Sequence, residues 1–313
     1  MGVLPSYAAD APLGVRNLAP AAHIYGLPRM RGTQILRSGI ILTFNAELAN
    51  NFTSDSKGQT AAFFDGETTI TTLGFRASLG EHFEWGIDAP YVWHSGGNLD
   101  ATVEDFHDAF GFNDASRPNA RRNRIDYFVR HQGVTYVNFQ SSQSHVGDIR
   151  FWAGRNLYAS QGRALTGRGL IKIPTGRVDD LSGSEAVDVS LWLEYSDESL
   201  LDDYGLTFTA GAGMGYLGKG ELVPDAQNSS VFFFHVGLSY KFNKTFSLIT
   251  QLDGHTKLID TPITELSDGS LQATLGARVT VTPKLWIDAG LIEDLRHQSA
   301  PDVVFQLLIG AKL

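Results

Sequence analysis

The sequence contains no cysteine in 313 residues, which removes disulfide scaffolds, thiolate zinc sites and cysteine nucleophiles together. It also lacks any uncharged apolar run near the ~18–20 residues that a spanning helix needs, and its mean hydropathy is only -0.10. A helical membrane protein is therefore excluded. Basic residues are the minority, 25 Lys and Arg against 34 Asp and Glu, for a net charge of -9. No clustered positive field remains for a phosphate backbone, so nucleic acid is not an expected partner. Disorder is excluded too, because 42% of the chain is apolar and 11% aromatic, enough to bury a large area. Phosphate-binding loops, dinucleotide fingerprints and the HExxH zinc motif are missing, and no cofactor is expected.

What is present is alternation. Residues 36–48 place Leu36, Ile40, Leu42, Phe44, Ala46 and Leu48 on one face and Thr43, Asn45 and Glu47 on the other. In residues 83–94, Phe83, Trp85, Ile87, Ala89, Tyr91 and Trp93 alternate with Glu84, Gly86, Asp88, Pro90, Val92 and His94. Residues 204–216 set Tyr204, Leu206, Phe208, Ala210, Ala212, Met214 and Tyr216 against glycines and threonines. Period two means strands with one apolar and one polar or small face. About twelve such segments occur, near 34–49, 60–79, 82–95, 146–158, 162–174, 185–197, 203–217, 229–242, 245–258, 269–282, 284–294 and 302–313. Tight connections at 80–81, 242–244 and 282–284 alternate with longer linkers near 50, 96–145, 175, 220, 260 and 297. An even strand number with short turns on one rim and long loops on the other is the pattern of an outer-membrane barrel.

A soluble sandwich would also alternate, but its polar face would be charged throughout. Here that face carries Gly and Thr as well as charge, and the apolar stripes end in aromatics: Phe83 and Trp85 against Tyr91 and Trp93, Tyr204 against Tyr216, Phe232 against Tyr240. Aromatics at stripe ends suit girdles flanking an apolar band of ~25 Å. The last stripe, Val303, Phe305, Leu307, Ile309, Ala311 and Leu313, runs to the final residue and resembles the assembly signal of such barrels, which most often ends in Phe. The fold class expected is all-β, a transmembrane antiparallel up-and-down β-barrel of about twelve strands in the outer membrane, both termini periplasmic. Its parts are a periplasmic N-terminal extension over 1–33, the barrel over 34–313 and an extracellular insertion over 95–145. Near the start, Ser6-Tyr7-Ala8 before Ala9 has the small-x-small pattern of a signal cleavage site, although an ordinary N-terminus reads equally well.

The inward positions give a charged wall. Arg150, Arg168 and Lys172 form a basic cluster on adjacent segments, and Glu84, Asp88, Asp188, Glu194, Asp253 and Asp288 supply acid. Opposed clusters across a narrow lumen would set up a transverse field for a small anionic or amphiphilic solute. Mutual pairing that plugs the barrel is the other reading. Arg155 shares the outward parity and snorkels at a strand end or lies in the turn. Inward glycines concentrate in the second half, at 205, 211, 213, 215, 237, 276, 290 and 310. The volume they leave is filled by water, by the proline-containing stretch 11–31 with its basic end Arg29 and Arg31, or by the insertion.

In the insertion, Val103, Phe106 and Phe110 at i, i+3 and i+7 predict a helix over 99–110, capped near Asp100, that folds as a lid over the mouth or lies on the outer leaflet. Arg117, Arg121, Arg122 and Arg124 follow, suited to lipopolysaccharide phosphates or to internal salt bridges in a solvated loop. Ile125, Tyr127 and Val129, with Val134, Tyr136 and Phe139 returning after Gln132-Gly133, predict a hairpin.

GVRNLAPAAHIYGLPR (14–29), DFHDAFGF (105–112) and IKIPTG (171–176) together resemble a porin-like family of bacterial outer-membrane β-barrel proteins classed as a domain of unknown function. The resemblance covers most of the chain and implies fold, outer-membrane location, contact with membrane lipid, and insertion by the barrel assembly machinery. It implies no site. Some twelve-stranded barrels are lipid hydrolases, and His94-Ser95 and Ser144-His145 flank the insertion. Sequence neighbours on a strand point to opposite faces, leaving His94 with Ser144 or Ser95 with His145, neither in the His-Ser-Asn pattern of outer-membrane phospholipases. His235, His255 and Asp253 lack a ligand spacing and suit a hydrogen-bond network, so no metal is expected. The leading function is passage of a small solute through a charge-lined lumen. The alternatives are a plugged structural or surface-binding barrel and a lipid-modifying enzyme.

Overall fold

The computed structural model describes residues 11–97, 123–201, 204–296 and 300–313. A strand with one apolar face leaves its backbone donors and acceptors unmet until neighbours pair on both edges, and in lipid that requires closure. Twelve strands do this: β1 (Ile40–Lys57), β2 (Thr60–Leu79), β3 (Phe83–Ser95), β7 (Ile149–Ser160), β8 (Arg163–Ile173), β9 (Asp188–Leu201), β10 (Leu206–Leu217), β11 (Ser230–Lys241), β12 (Phe246–His255), β13 (Ser270–Thr282), β14 (Leu285–Asp294) and β15 (Val303–Lys312). All pair antiparallel with their chain neighbours, and β1 closes on β15 from Ile41 opposite Lys312 to Asn50 opposite Val303. Three further strands, β4 (Asp126–His131), β5 (Val134–Phe139) and β6 (Gln143–Val146), lie outside the closed ring. The single helical turn among the described residues is α1 (Thr264–Ser267).

The barrel is a transmembrane one by its faces. Leu73, Leu191 and Met214 are more than 60% exposed on the outer wall, whereas Ser190 and Asp188 on the inner wall are fully buried. Phe83, Trp85, Tyr204, Tyr240 and Phe242 mark the short-turn end of the exposed belt, and Tyr91, Trp93, Tyr216 and Phe232 mark the long-loop end.

The first strand differs from the sequence expectation at both ends. It begins at Ile40, because residues 34–36 run inside the barrel, with Leu36 fully buried there and not on the outer face, and residues 37–39 lie exposed at the rim. It continues to Lys57, so the expected linker near 50 is a hairpin with β2 closed by Gly58-Gln59. Asn50, Asn51, Thr53, Ser54 and Asp55 look like a loop because the strand has left the apolar band, where alternation is no longer required. On this projecting ribbon the insertion hairpin docks: β4 pairs with β2 from Ala61 opposite Arg130 to Asp65 opposite Asp126. Its turn is Gln132-Gly133, both at positive φ (49° and 83°), the geometry of a tight two-residue hairpin turn. The helix expected at Val103, Phe106 and Phe110 lies outside the described residues, as do Arg117, Arg121 and Arg122.

Candidate functional site

The lumen is the candidate site, and residues 11–38 occupy it. From the short-turn half, where Arg278 donates to Ala11 O (2.9 Å), the chain rises to a turn at 19–25 and descends to β1. The two arms are tied by Arg29 Nη1 donating to Gly14 O (2.7 Å). Wall contacts recur along the path. Leu13 exchanges two hydrogen bonds with the Gln251 side chain, both 3.0 Å. Gly26 N donates to Asp188 (2.8 Å), Arg31 N to Glu194 (2.8 Å) and Leu36 N to Glu84 (2.8 Å). Arg29 pairs with Glu47 and Arg31 with Asp88. An irregular chain buried in a polar barrel has unpaired backbone groups, and the wall carboxylates and amides satisfy them.

The turn at 19–25 faces the long-loop rim and is covered. Ala21, Ile24, Tyr25 and Leu27 join one buried apolar cluster with Trp152 and Trp192 of the wall and Leu181, Leu222 and Ile259 of the long loops. Tyr127 of β4 is fully buried beside it, its ring 5.2 Å from His94 and its hydroxyl bonded to Asn51 (3.0 Å). Among the described residues of the insertion, this hairpin covers the mouth.

The charged wall residues come together by strand register. Asp88, Arg150, Lys172 and Asp188 stand opposite one another on β3, β7, β8 and β9, and Glu84, Gly154 and Arg168 form the next row but one. Gly154 matters here: a Cβ at that position would strike the Arg168 guanidinium, so its bare backbone lets Arg168 reach across β7 to Glu84. Arg168 also binds Glu194 (3.2 Å), and Lys172 binds Asp148 (2.6 Å) and Asp188 (3.1 Å). On the far wall Asp288 holds Arg278 (2.6 Å), while Asp253 accepts from Gln251 (2.7 Å) and lies 3.3 Å from His235. Acid and base thus meet across nearby strands of one stretch of wall, and the opposed clusters expected across an empty lumen are not formed. Register pairs them before either can face across.

Sequence parity does not reveal Arg16, a buried cation beneath the turn, or its meeting with Arg150. Arg16 Nη1 (2.8 Å) and Arg150 Nη2 (3.1 Å) both donate to His23 O. Burial first, then Arg150 and Arg29, lower the Arg16 pKa well below its ordinary value. The His23 imidazole is also held down, by burial first and then by His94, Arg16 and Arg150. No sequence signal marks this pairing, since the two arginines lie 134 positions apart (150 - 16) and on different kinds of segment.

The other singled-out residues are placed as follows. His94 is inward and bonds Thr68 (2.9 Å), whereas Ser144 is outward and accepts from the Tyr91 hydroxyl (2.9 Å). Register sets His145 opposite Val92 on the inner parity and Ser95 on the outer, so neither cross-strand His and Ser pair shares a face. His235 contacts Thr209 (3.1 Å) and His255 contacts Asn17 (3.0 Å), as members of a hydrogen-bond network. Arg124 pairs with Asp126. The inward glycines are filled by the segment and by aromatics: Leu13 lies against Gly276 and Gly290, Met30 against Gly211, Trp192 and Phe233 against Gly213, and Trp286 against Gly310. Gly205 is not inward but sits in the short turn at φ +64°.

An outer-membrane channel from Pseudomonas putida F1 has a similar fold, with a TM-score of 0.58 at 13% identity over 89% of this chain and 97% of that one. The NanC porin aligns with a TM-score of 0.48 at 8% identity over 88% and 98%, and the Ralstonia pickettii toluene transporter TbuX with 0.44 at 9% over 100% and 98%. No curated protein matches the sequence. The family model "Protein of unknown function (DUF3187)" matches residues 6–312, nearly the whole of a chain folded as a twelve-stranded transmembrane barrel, and the protein belongs to that family.

Proposed function

We propose that this protein is a gated outer-membrane channel for a small solute, seen with residues 11–38 closing the lumen. The observation that carries the reading is the nature of the closure. The occluding segment is not a strand of the wall; the barrel closes through β1 and β15 without it, and no covalent bond ties it to the wall beyond its junction with β1. Beside it a lumenal cavity of about 110 Å³ remains, lined by Arg29, Arg31, Arg76 and Arg278 against Asp88 and Asp288. Each of these guanidiniums is paired, with Glu47, Asp88, Glu84 and Asp288 in turn, and an anionic or amphiphilic solute would exchange with those carboxylates. In this reading the barrel assembly machinery inserts the barrel, both termini are periplasmic, the belt contacts membrane lipid, and Arg124 with Arg117, Arg121 and Arg122 contacts lipopolysaccharide.

A disulfide in the cysteine-free chain tests the gate. The Thr33 and Ser196 hydroxyls lie 2.5 Å apart, so a Thr33→Cys, Ser196→Cys protein will form a bridge between segment and wall. In planar bilayers the oxidised protein is expected to lose its openings and reduction to restore them. Absence of current from the wild type, from the reduced double mutant and from an Arg29→Gln, Arg31→Gln variant would leave a plugged structural barrel instead.

A further inference from the structure

The outer wall is not uniformly padded. Along β7 to β10 the outward register rows run Arg155, Gly167, Leu193, Ala212 and Ala153, Gly169, Leu191, Met214. Small residues floor a recess between leucine side chains, a groove of about 710 Å³. At its short-turn end the groove adjoins a second cavity of about 550 Å³, and Arg155 and Leu157 line both. This second cavity lies at the rim, where Thr33, Gln34 and Ile35 of the lumenal segment meet Arg37, Glu81 and His82, and it mixes polar with apolar side chains. Arg155 lies over the Phe83 ring at 5.0 Å, and neither Arg155 nor Arg37 has a carboxylate partner among the described residues. An apolar trough that ends in uncompensated guanidinium at the level of the aromatic belt has the chemistry of one end of a membrane lipid.

We propose that these joined cavities bind one glycerophospholipid of the leaflet at the short-turn rim, an acyl chain lying over Gly167 and Gly169 and the phosphodiester resting on Arg155. Charge complementarity selects this occupant: a phosphodiester meets the Arg155 guanidinium, Glu81 in the same cavity offers a carboxylate to an ammonium headgroup, and the apolar trough beside them takes an acyl chain.

Native mass spectrometry of the full-length protein in neutral detergent, with added 1-palmitoyl-2-oleoyl-phosphatidylethanolamine, reads the site. The wild type is expected to retain one lipid, and dioleoylglycerol, which lacks the phosphate, to be held about tenfold more weakly. Arg155→Gln should lower phospholipid occupancy about tenfold and leave diacylglycerol retention unchanged. Gly167→Leu, which fills the floor beside Leu157 and Leu193, should lower both. Gly169→Ile repeats the test should Gly167→Leu fail to give the heat-shifted gel mobility of a folded barrel. Equal retention by wild type and variants would mean only unspecific annular lipid and would overturn the proposal. So would dimers in the wild type that Gly167→Leu abolishes without any change in lipid.

Discussion

Arg168 shows how one side chain depends on its register row. It is fully buried between Glu84 and Glu194, and its reach depends on Gly154 having no side chain. Removing one member of a buried ionic group leaves the others uncompensated, so Arg168→Met is expected to destabilise the barrel by about 3–5 kcal/mol in urea unfolding from lipid vesicles. Gly154→Ala should cost less, about 1–3 kcal/mol, by displacing the guanidinium without removing it. A pH effect is expected at His23. Because burial and the neighbouring His94, Arg16 and Arg150 hold its pKa well below the ordinary 6.5, the neutral imidazole's stabilising contribution is present above pH 6.5. It is lost as pH falls toward the depressed value, when the unfolded segment takes up a proton first. Protection factors of the amides in residues 19–25, taken against the intrinsic exchange rate at each pH, should therefore fall between pH 7.5 and pH 5, and His23→Gln should blunt that change. Unchanged protection at pH 5 would contradict it. Period-two parity was enough to read the inward charges Glu84, Asp88, Arg150, Arg168, Lys172 and Asp188 from sequence. The partners of Arg16 were not readable, because it lies on an irregular segment with no parity.

At the level of elements, the N-terminal segment is held by shape as much as by charge. Leu13 sits in the space left by Gly276 and Gly290 and is almost fully buried. Leu13→Ala is expected to weaken docking of the segment by about 2–5 kcal/mol, measured as faster limited proteolysis within residues 11–38 while the barrel stays heat-resistant on gels. A protease-resistant segment in that variant would show that the polar contacts suffice. The excess of glycine in the second half was visible in the sequence, but which group fills it was not, since proline-punctuated and apolar segments compete equally for an unfilled wall. The β1–β2 ribbon illustrates the other limit. Its polar upper half pairs as well as its lower half because backbone hydrogen bonds, unlike alternation, do not need lipid.

For the whole molecule, closure of twelve strands leaves a narrow interior in which wall charges are already matched, and access is set by the segment and by the loops packed over its turn. If the segment gates the pore, openings will be rare in the wild type and more frequent in Arg29→Gln, Arg31→Gln, where its pairs to Glu47 and Asp88 are lost. The reversal potential in a potassium chloride gradient should show anion preference, reduced in Arg76→Gln, which alters the lining of the lumenal cavity. Cation preference in the wild type would rule out an anionic solute.

The alternation of side chains determined by itself that the chain forms strands, that about twelve of them close, and which residues face in. These follow from a local period that every strand repeats, so no distant contact is needed to read them. Only the tertiary structure decided that acid and base meet within one stretch of wall, that residues 34–36 leave the wall for the lumen, and that Leu13, Met30, Trp192 and Trp286 fill the glycine-lined side. Each of these depends on register between strands or on the path of an irregular segment. Neither leaves a period in the sequence.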